Sequence, residues 1–178
     1  MKLSPFLERR LRALQIIAEA HEPLASLTLP GVHLTGTTNG SQGVTIAGRR
    51  ARRARQRGLG SMGHNAAASL RLRALLDQHG ALVVRVVRVA PRALDDDNLA
   101  ATLKRVRDGL ARHLGVDDKH PCVEYVPDAD RGAVRENAVR LEVFAAPASV
   151  PPPPYRPPPA PRRRTFRRQF ATPNVRKP

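Results

Sequence analysis

A valine-rich stretch in the middle of the chain, residues 81–90, narrows the choice of folds. Arg85 and Arg88 are its only charged residues. Apolar runs of this length are typical of a strand that other elements cover on both faces, and Pro91 ends the run. The run is too short for a membrane-spanning helix, which needs ~18–20 apolar residues. The sequence therefore predicts a largely buried central strand in a soluble protein.

The residues after this strand predict a helix and two more strands. Leucine and valine recur at spacings of three and four residues over 99–114, which predicts an amphipathic helix closed by Gly115. Strands are predicted at 122–126 and 138–144, linked by a polar hairpin that contains Gly132. We therefore expect an α/β fold, with a mixed sheet and flanking helices.

The N-terminal residues predict a helix followed by a strand. Ser4 and Pro5 are an N-cap and first-turn pair, and the apolar spacing after them predicts an amphipathic helix that ends near residues 21–23. Leu27 and Leu29 alternate with polar residues, as in a half-buried strand that Pro30 and the following glycine break.

The segment from residue 36 to residue 80 gives weaker signals. We expect a loop or hairpin turn at 36–43 and a short strand at 44–47. Residues 58–63 fit the dinucleotide-binding pattern GxGxxG, but they follow an arginine run where that pattern requires a strand, so we interpret them as a flexible loop. A helix is predicted at 66–79, capped by Asn65 and stopped by Gly80.

Composition divides the chain into three parts. Residues 1–24 are a helical extension, 25–146 hold the α/β domain, and 147–178 are a proline- and arginine-rich tail that should be disordered when free. The single cysteine, Cys122, excludes an intrachain disulfide framework and a Cys-rich zinc site. A reducing, cytoplasmic compartment is the natural interpretation.

The formal net charge of +16 comes from two acid-free segments. Residues 49–73 contain eight arginines, and residues 156–177 contain eight basic residues. Such segments favour a polyanionic partner that is held through its phosphates. The candidate DNA-binding residues are the six arginines of the first run: Arg49, Arg50, Arg52, Arg53, Arg55 and Arg57.

Acidic residues are grouped as well, because nine of the fifteen lie within residues 95–130. Carboxylates repel phosphates, so a nucleic-acid-binding protein gains from grouping them only if a divalent cation sits between. Metal-assisted phosphodiester chemistry explains the grouping. An ordinary solvated face, whose first carboxylates cap a helix, explains it equally well.

Asp95 and Asp97 are spaced to act as a pair. In extended chain they point to one side, about 7 Å apart at Cα, where they could bracket a divalent ion. On the helix that follows, Asp97, Lys104 and Asp108 fall within roughly 40° of one another. The alternative is an N-cap, at Asp97 or Asn98, followed by a solvated helix face with ordinary ion pairs.

These residues also resemble a known signature. The segments Asp95-Asp96-Asp97-Asn98-Leu99, Lys104 with Asp108-Gly109-Leu110, and Gly115-Val116-Asp117-Asp118 resemble the D-x-D-N, K-x-x-x-D-x-L and later D-D pattern of RusA-type Holliday junction resolvases. The resemblance is best over residues 81–144 and weaker over 27–79. It does not extend to the first ~20 residues or to the tail.

The resemblance implies a magnesium-dependent, homodimeric endonuclease of mixed α/β fold that cuts branched DNA. Asp95, Asp97 and Asp118 then correspond to essential metal-binding aspartates, with Mg²⁺ or Mn²⁺ as cofactor. Lys104 corresponds to an essential lysine, although the family lysine usually stands at the place of Ala101 here. Three residues are nearly one helical turn, so Lys104 keeps a similar face about 4.5 Å further along the axis.

The sequence leaves two questions open. The first is whether the chain is an enzyme or a noncatalytic nucleic-acid-binding protein whose acids are merely solvated. The second is how Asp97 and Asp118 could reach one site. A straight helix over 99–114 would span about 24 Å and separate Asp97 from Asp118. Either the chain folds back after Gly115 far enough to return Asp118 to Asp97, or Asp118 reaches the site of a two-fold-related partner.

Overall fold

The computed structural model describes residues 4–20, 22–32, 34, 46–148, 150 and 152–155. They form four helices and four strands. The helices are α1 (Pro5–Glu19), α2 (Ile46–Ser69), α3 (Leu72–His79) and α4 (Asp96–Leu114); the strands are β1 (Ala25–Pro30), β2 (Leu82–Ala90), β3 (Val123–Arg131) and β4 (Ala138–Ala145).

The strands form one mixed sheet in the order β1-β4-β2-β3. β2 and β3 run parallel, with α4 as the connection between them, and β4 is antiparallel to both β2 and β1. β2 is an inner strand with eight of its nine residues buried. The predicted mixed α/β fold and the predicted central strand are confirmed.

The predicted hairpin between the last two strands is wrong. β3 and β4 are not neighbours, because β2 lies between them. The segment that joins them crosses the end of β2, where the Gly132 N–H donates to the Ala90 carbonyl at 3.0 Å. Strand periodicity locates strands but carries no information about which strands pair, and a parallel β2-α4-β3 unit places β3 on the far side of β2.

Helices cover both faces of the sheet. Leu82, Val84 and Val86 of β2 pack into the main core, which α2, α3 and α4 complete. On the opposite face, Val83 of β2 joins a smaller cluster around Ala13 of α1. The predicted cap of α1 is confirmed, since the Ser4 hydroxyl accepts a hydrogen bond from the Leu7 N–H at 3.3 Å.

α2 corrects several predictions. It runs unbroken through residues 58–63, so these are not a loop, and Asn65 lies inside the helix rather than capping one. The predicted strand at 44–47 is wrong for its last two residues, which belong to α2. Residues 44 and 45 and the predicted loop at 36–43 lie outside the described residues. The helical break comes instead at Arg71, whose φ of 51° is left-handed, and Gly80 ends α3 as predicted.

The glycines of α2 are explained by its contact with α4. A Cβ on Gly63 would lie 2.2 Å from the Val106 carbonyl oxygen, and a Cβ on Gly109 would lie 2.2 Å from the Gly60 carbonyl oxygen. Larger side chains would hold the two backbones apart. Local rules count these glycines as helix breakers, but here they allow close helix packing.

The described chain continues to pack beyond residue 146. The Arg73 guanidinium of α3 donates to the Pro153 carbonyl at 3.1 Å and lies 5.4 Å from the centre of the Tyr155 ring. Residues 156–178 of the predicted tail lie outside the described residues. Among the described helices, no segment has the length and apolar character to cross a membrane.

Candidate functional site

Asp95 begins the candidate site by capping α4. Its side chain accepts a hydrogen bond from the Asn98 N–H at 3.1 Å, so the cap is Asp95 rather than Asp97 or Asn98. Asp96 and Asp97 occupy the first turn of the helix and are exposed. Carboxylates are favourable there because the N-terminal end of a helix carries partial positive charge.

A buried arginine supports the segment that leads into α4. Arg88 of β2 is 7% exposed and donates to the carbonyls of Leu34, at 3.3 Å, and Arg92, at 2.6 Å. Burial lowers the pKa of Arg88. In the sequence, Arg88 is only an interruption of an apolar run, and no pattern around it indicates these two carbonyl partners.

The turn after α4 brings Asp118 back along the helix. Gly115 adopts a left-handed φ of 70°, and the Val116 N–H donates to the Ala111 carbonyl at 3.2 Å. Asp118 then lies beside α4, 2.8 Å from Arg107 Nη2 and 3.6 Å from Lys104 Nζ. The chain therefore folds back after Gly115, but it returns Asp118 only as far as Lys104 and Arg107 and not to Asp97.

The charges around Asp118 favour its ionised form. Its partial burial opposes ionisation, but Arg107 and Lys104 outweigh that effect and hold the pKa of Asp118 below its ordinary value. Lys104 also contacts Asp108 at 3.1 Å, and its side chain is 51% exposed. Lys104 thus joins two carboxylates while it still faces solvent.

The three predicted metal-binding aspartates are not gathered in one chain. Asp97 precedes Lys104 by seven residues, or about 10.5 Å along the helix axis, and Asp118 lies beside Lys104. Within the described ranges, no group of three or more His, Cys, Asp or Glu side chains is placed to hold a metal ion. Asp95 caps the helix and Asp118 pairs with Arg107 and Lys104, so the three aspartates do not come together as one group within the described chain.

A cleft of about 450 Å³ opens beside Asp118, between α1, α4 and β3. Arg9 of α1 and Glu124 of β3 line it and form an ion pair at 3.2 Å. Burial raises the pKa of Glu124, against the opposing effect of Arg9. Tyr125 also lines the cleft, and its hydroxyl is buried without a hydrogen-bond partner among the described residues.

Some of the clustered acids have structural partners in the sheet. Arg85 of β2 binds Asp128 of β3 at 2.5 Å and Glu142 of β4 at 3.0 Å. Arg140 binds Asp130 across the same face. For Asp128 and Asp130, the interpretation as ordinary ion-paired acids is therefore sufficient.

The predicted DNA-binding arginines lie on the first half of α2. Arg50, Arg53, Arg55 and Arg57 are exposed, and the side chains of Arg49 and Arg52 lie outside the described part of the structure. A hollow of about 400 Å³ between α2 and α4 includes Arg53 and Arg57 in its lining. Sequence reasoning did not identify the arginines that α4 adds to this hollow.

The α2–α4 contact also contains two histidines. The rings of His64 and His113 pack edge to face, 4.9 Å apart. Burial, and secondarily the neighbouring His64, lowers the pKa of His113.

Comparisons with protein-family models, with curated proteins and with solved structures found no match to this chain.

Proposed function

We propose that this chain is an endodeoxyribonuclease that hydrolyses phosphodiester bonds in branched duplex DNA. The proposal depends on one observation: Asp118, in the turn after α4, lies 3.6 Å from Lys104 on α4, the helix that Asp95 caps and that has Asp97 in its first turn. The residues that resemble the resolvase signature therefore share one helix and the turn behind it.

The side chains on this helix are suited to holding a phosphate. The exposed ammonium of Lys104 would contact a nonbridging phosphate oxygen and stabilise charge that develops there during hydrolysis. Asp118 and Asp108 keep that ammonium near the helix surface when no phosphate is bound. The exposed arginines of α2 would add affinity for neighbouring phosphates without sequence preference.

A cleavage assay tests the proposal. A labelled four-way junction and a linear duplex with the same ends are incubated with the protein, with and without Mg²⁺ or Mn²⁺. We expect junction cleavage that requires the cation, as the resemblance implies. Asp97→Asn should abolish cleavage while keeping or tightening DNA binding, because a carboxylate that repels phosphate is lost.

Asp96→Asn is the matched control, since Asp96 is exposed, lies in the same helical turn and carries the same charge. It should leave cleavage unchanged. If Asp97→Asn cuts as well as Asp96→Asn, or if the unmodified chain cuts neither substrate, the nuclease proposal is wrong.

The second candidate is a noncatalytic nucleic-acid-binding protein. It is favoured by the structural roles that two of the aspartates already have: Asp95 caps α4, and Asp118 is paired with Arg107. Junction binding without cleavage under any cation would select this candidate.

We also propose a homodimer in which two chains complete each site, because one chain does not gather the three aspartates. Mixed Asp97→Asn and Asp118→Asn chains should then recover activity at one of two centres. We propose a reducing cytoplasmic compartment, with which the buried free thiol of Cys122 is consistent.

A further inference from the structure

The close contact between α2 and α4 creates a groove on the protein surface. Gly60 of α2 and Gly109 of α4 bring the two backbones together, and side chains on either side of this contact form the walls of a hollow of about 400 Å³. We call it the α2–α4 groove. The residues that matter for its chemistry are Arg53, Arg57, Gly60, Arg105, Asp108 and Arg112.

The groove is strongly basic. Four arginines line it, two from each helix, against the single carboxylate of Asp108. Asp108 lies 3.4 Å from Arg105. Within the described part of the chain, the other three arginines, Arg53, Arg57 and Arg112, form no ion pair. Unpaired guanidinium groups that converge on one groove are suited to phosphate oxygens, which they can bind with two parallel hydrogen bonds.

We propose that the α2–α4 groove binds the phosphodiester backbone of the nucleic acid, with Arg105 and Arg112 of α4 as contacts that the arginine run of α2 does not include. Four arginines on two packed helices define one path for a bound backbone, whereas the arginine run of α2 alone provides positive charge without defining a path. No aromatic side chain lines the groove in the part of the chain that the structure describes, so it holds the backbone rather than stacked bases.

The groove lies next to the candidate site on α4. Arg105, Asp108 and Arg112 span about 60° of the helix, and Lys104 lies about 40° from Asp108. A strand held in the groove would therefore pass beside Lys104. This inference rests on the proposed function, since it assigns the position of the same DNA.

The test measures DNA binding without cleavage. Affinity for a labelled four-way junction is measured by fluorescence anisotropy in EDTA, over a series of salt concentrations. The variant that combines Arg53→Gln, Arg57→Gln, Arg105→Gln and Arg112→Gln should reduce the magnitude of the slope of log K against log salt by about 3.6, at roughly 0.9 for each lost phosphate contact. The control carries the same charge change at four exposed arginines outside the groove: Arg12, Arg92, Arg131 and Arg135.

We expect the control to change the slope by less than about 1. The proposal is overturned if the groove variant has the same slope as the control. It is also overturned if the unmodified chain does not bind the junction. Asp108→Asn supplies a second measurement that does not depend on four substitutions. Removing the one acid of the groove should tighten binding about threefold, and unchanged or weaker binding contradicts the groove.

The two proposals can fail separately. Salt-dependent binding through the groove without cleavage would refute the nuclease and keep the groove. Cleavage by a chain whose groove variant binds like the control would refute the groove and keep the nuclease.

Discussion

Replacing Gly63 with alanine should destabilise the protein, whereas the same replacement at Gly58, on the same helix, should stabilise it. A Cβ on Gly63 would lie 2.2 Å from the Val106 carbonyl oxygen and 3.0 Å from its carbonyl carbon. These are backbone atoms of α4, so the clash is relieved only if the two helices move apart. A Cβ on Gly58 meets no atom within 4 Å.

The expected difference follows from two free-energy contributions. Alanine is favoured over glycine inside a helix by ~0.5–1 kcal/mol, and this gain applies at both positions. At Gly63, α2 and α4 would have to move about 1 Å apart to restore an ordinary carbon–oxygen contact of ~3.3 Å. Such overpacking lowers the free energy of unfolding by ~1–3 kcal/mol. The helix-propensity gain cancels in the comparison, so Gly63→Ala should be less stable than Gly58→Ala by ~1–3 kcal/mol.

Urea denaturation followed by far-ultraviolet circular dichroism measures this difference. For a chain of this size, each kcal/mol corresponds to ~2–4 °C in Tm. Gly109→Ala, whose Cβ would lie 2.2 Å from the Gly60 carbonyl oxygen, should behave like Gly63→Ala. Equal stability of Gly58→Ala and Gly63→Ala would refute the close α2–α4 contact and the groove that depends on it.

Three further predictions follow from buried polar groups. Tyr125→Phe should raise the free energy of unfolding by about 1 kcal/mol in urea denaturation, because it removes a hydroxyl that has no partner among the described residues; a loss of stability would show that the hydroxyl is hydrogen-bonded. The pKa of His113 lies below its ordinary 6.5 in the fold, so stability should fall as pH drops through 6.5, since the unfolded chain binds the proton more readily. His113→Gln should flatten that dependence in thermal melts between pH 7 and 5, and an identical dependence would contradict the assignment. Arg88→Met should lower the free energy of unfolding by ~1–3 kcal/mol, because it leaves the carbonyls of Leu34 and Arg92 without their donor. Amide hydrogen exchange should become faster at residues 91–95, and an unchanged rate there would show that Arg88 does not support that segment.

The elements predicted from sequence are those whose signal is local. The valine run of β2, the three- and four-residue spacing of α4, and the cap at Ser4 depend on residues within a few positions of one another. Gly115 is a similar case, because a left-handed φ at a helix end is a conformation that glycine adopts readily.

The failed predictions depend on contacts between distant residues. The loop interpretation of residues 58–63 depends on a glycine pattern and the arginine run just before it, whereas the deciding contact of Gly63 is with Val106 on another helix. The pairing of β3 with β2 rather than β4 depends on the path of α4. Asp118 was a candidate from its motif, but its contacts with Arg107 and Lys104 depend on the turn after α4, which spacing alone does not describe.

The placement of Asp118 bears on the proposal that two chains complete each site. To reach Asp97, its carboxylate would have to leave a charge-assisted hydrogen bond to Arg107 at 2.8 Å, which is stronger than a neutral one, and cover two turns of α4. In the proposed dimer, Asp118 of a second copy would approach Asp97 with its own hydrogen bond to Arg107 intact, because the whole chain would dock as one body. For this reason the proposal places the site between two chains rather than within one. The mixing experiment tests this argument directly, because only a shared site regains activity from two inactive chains.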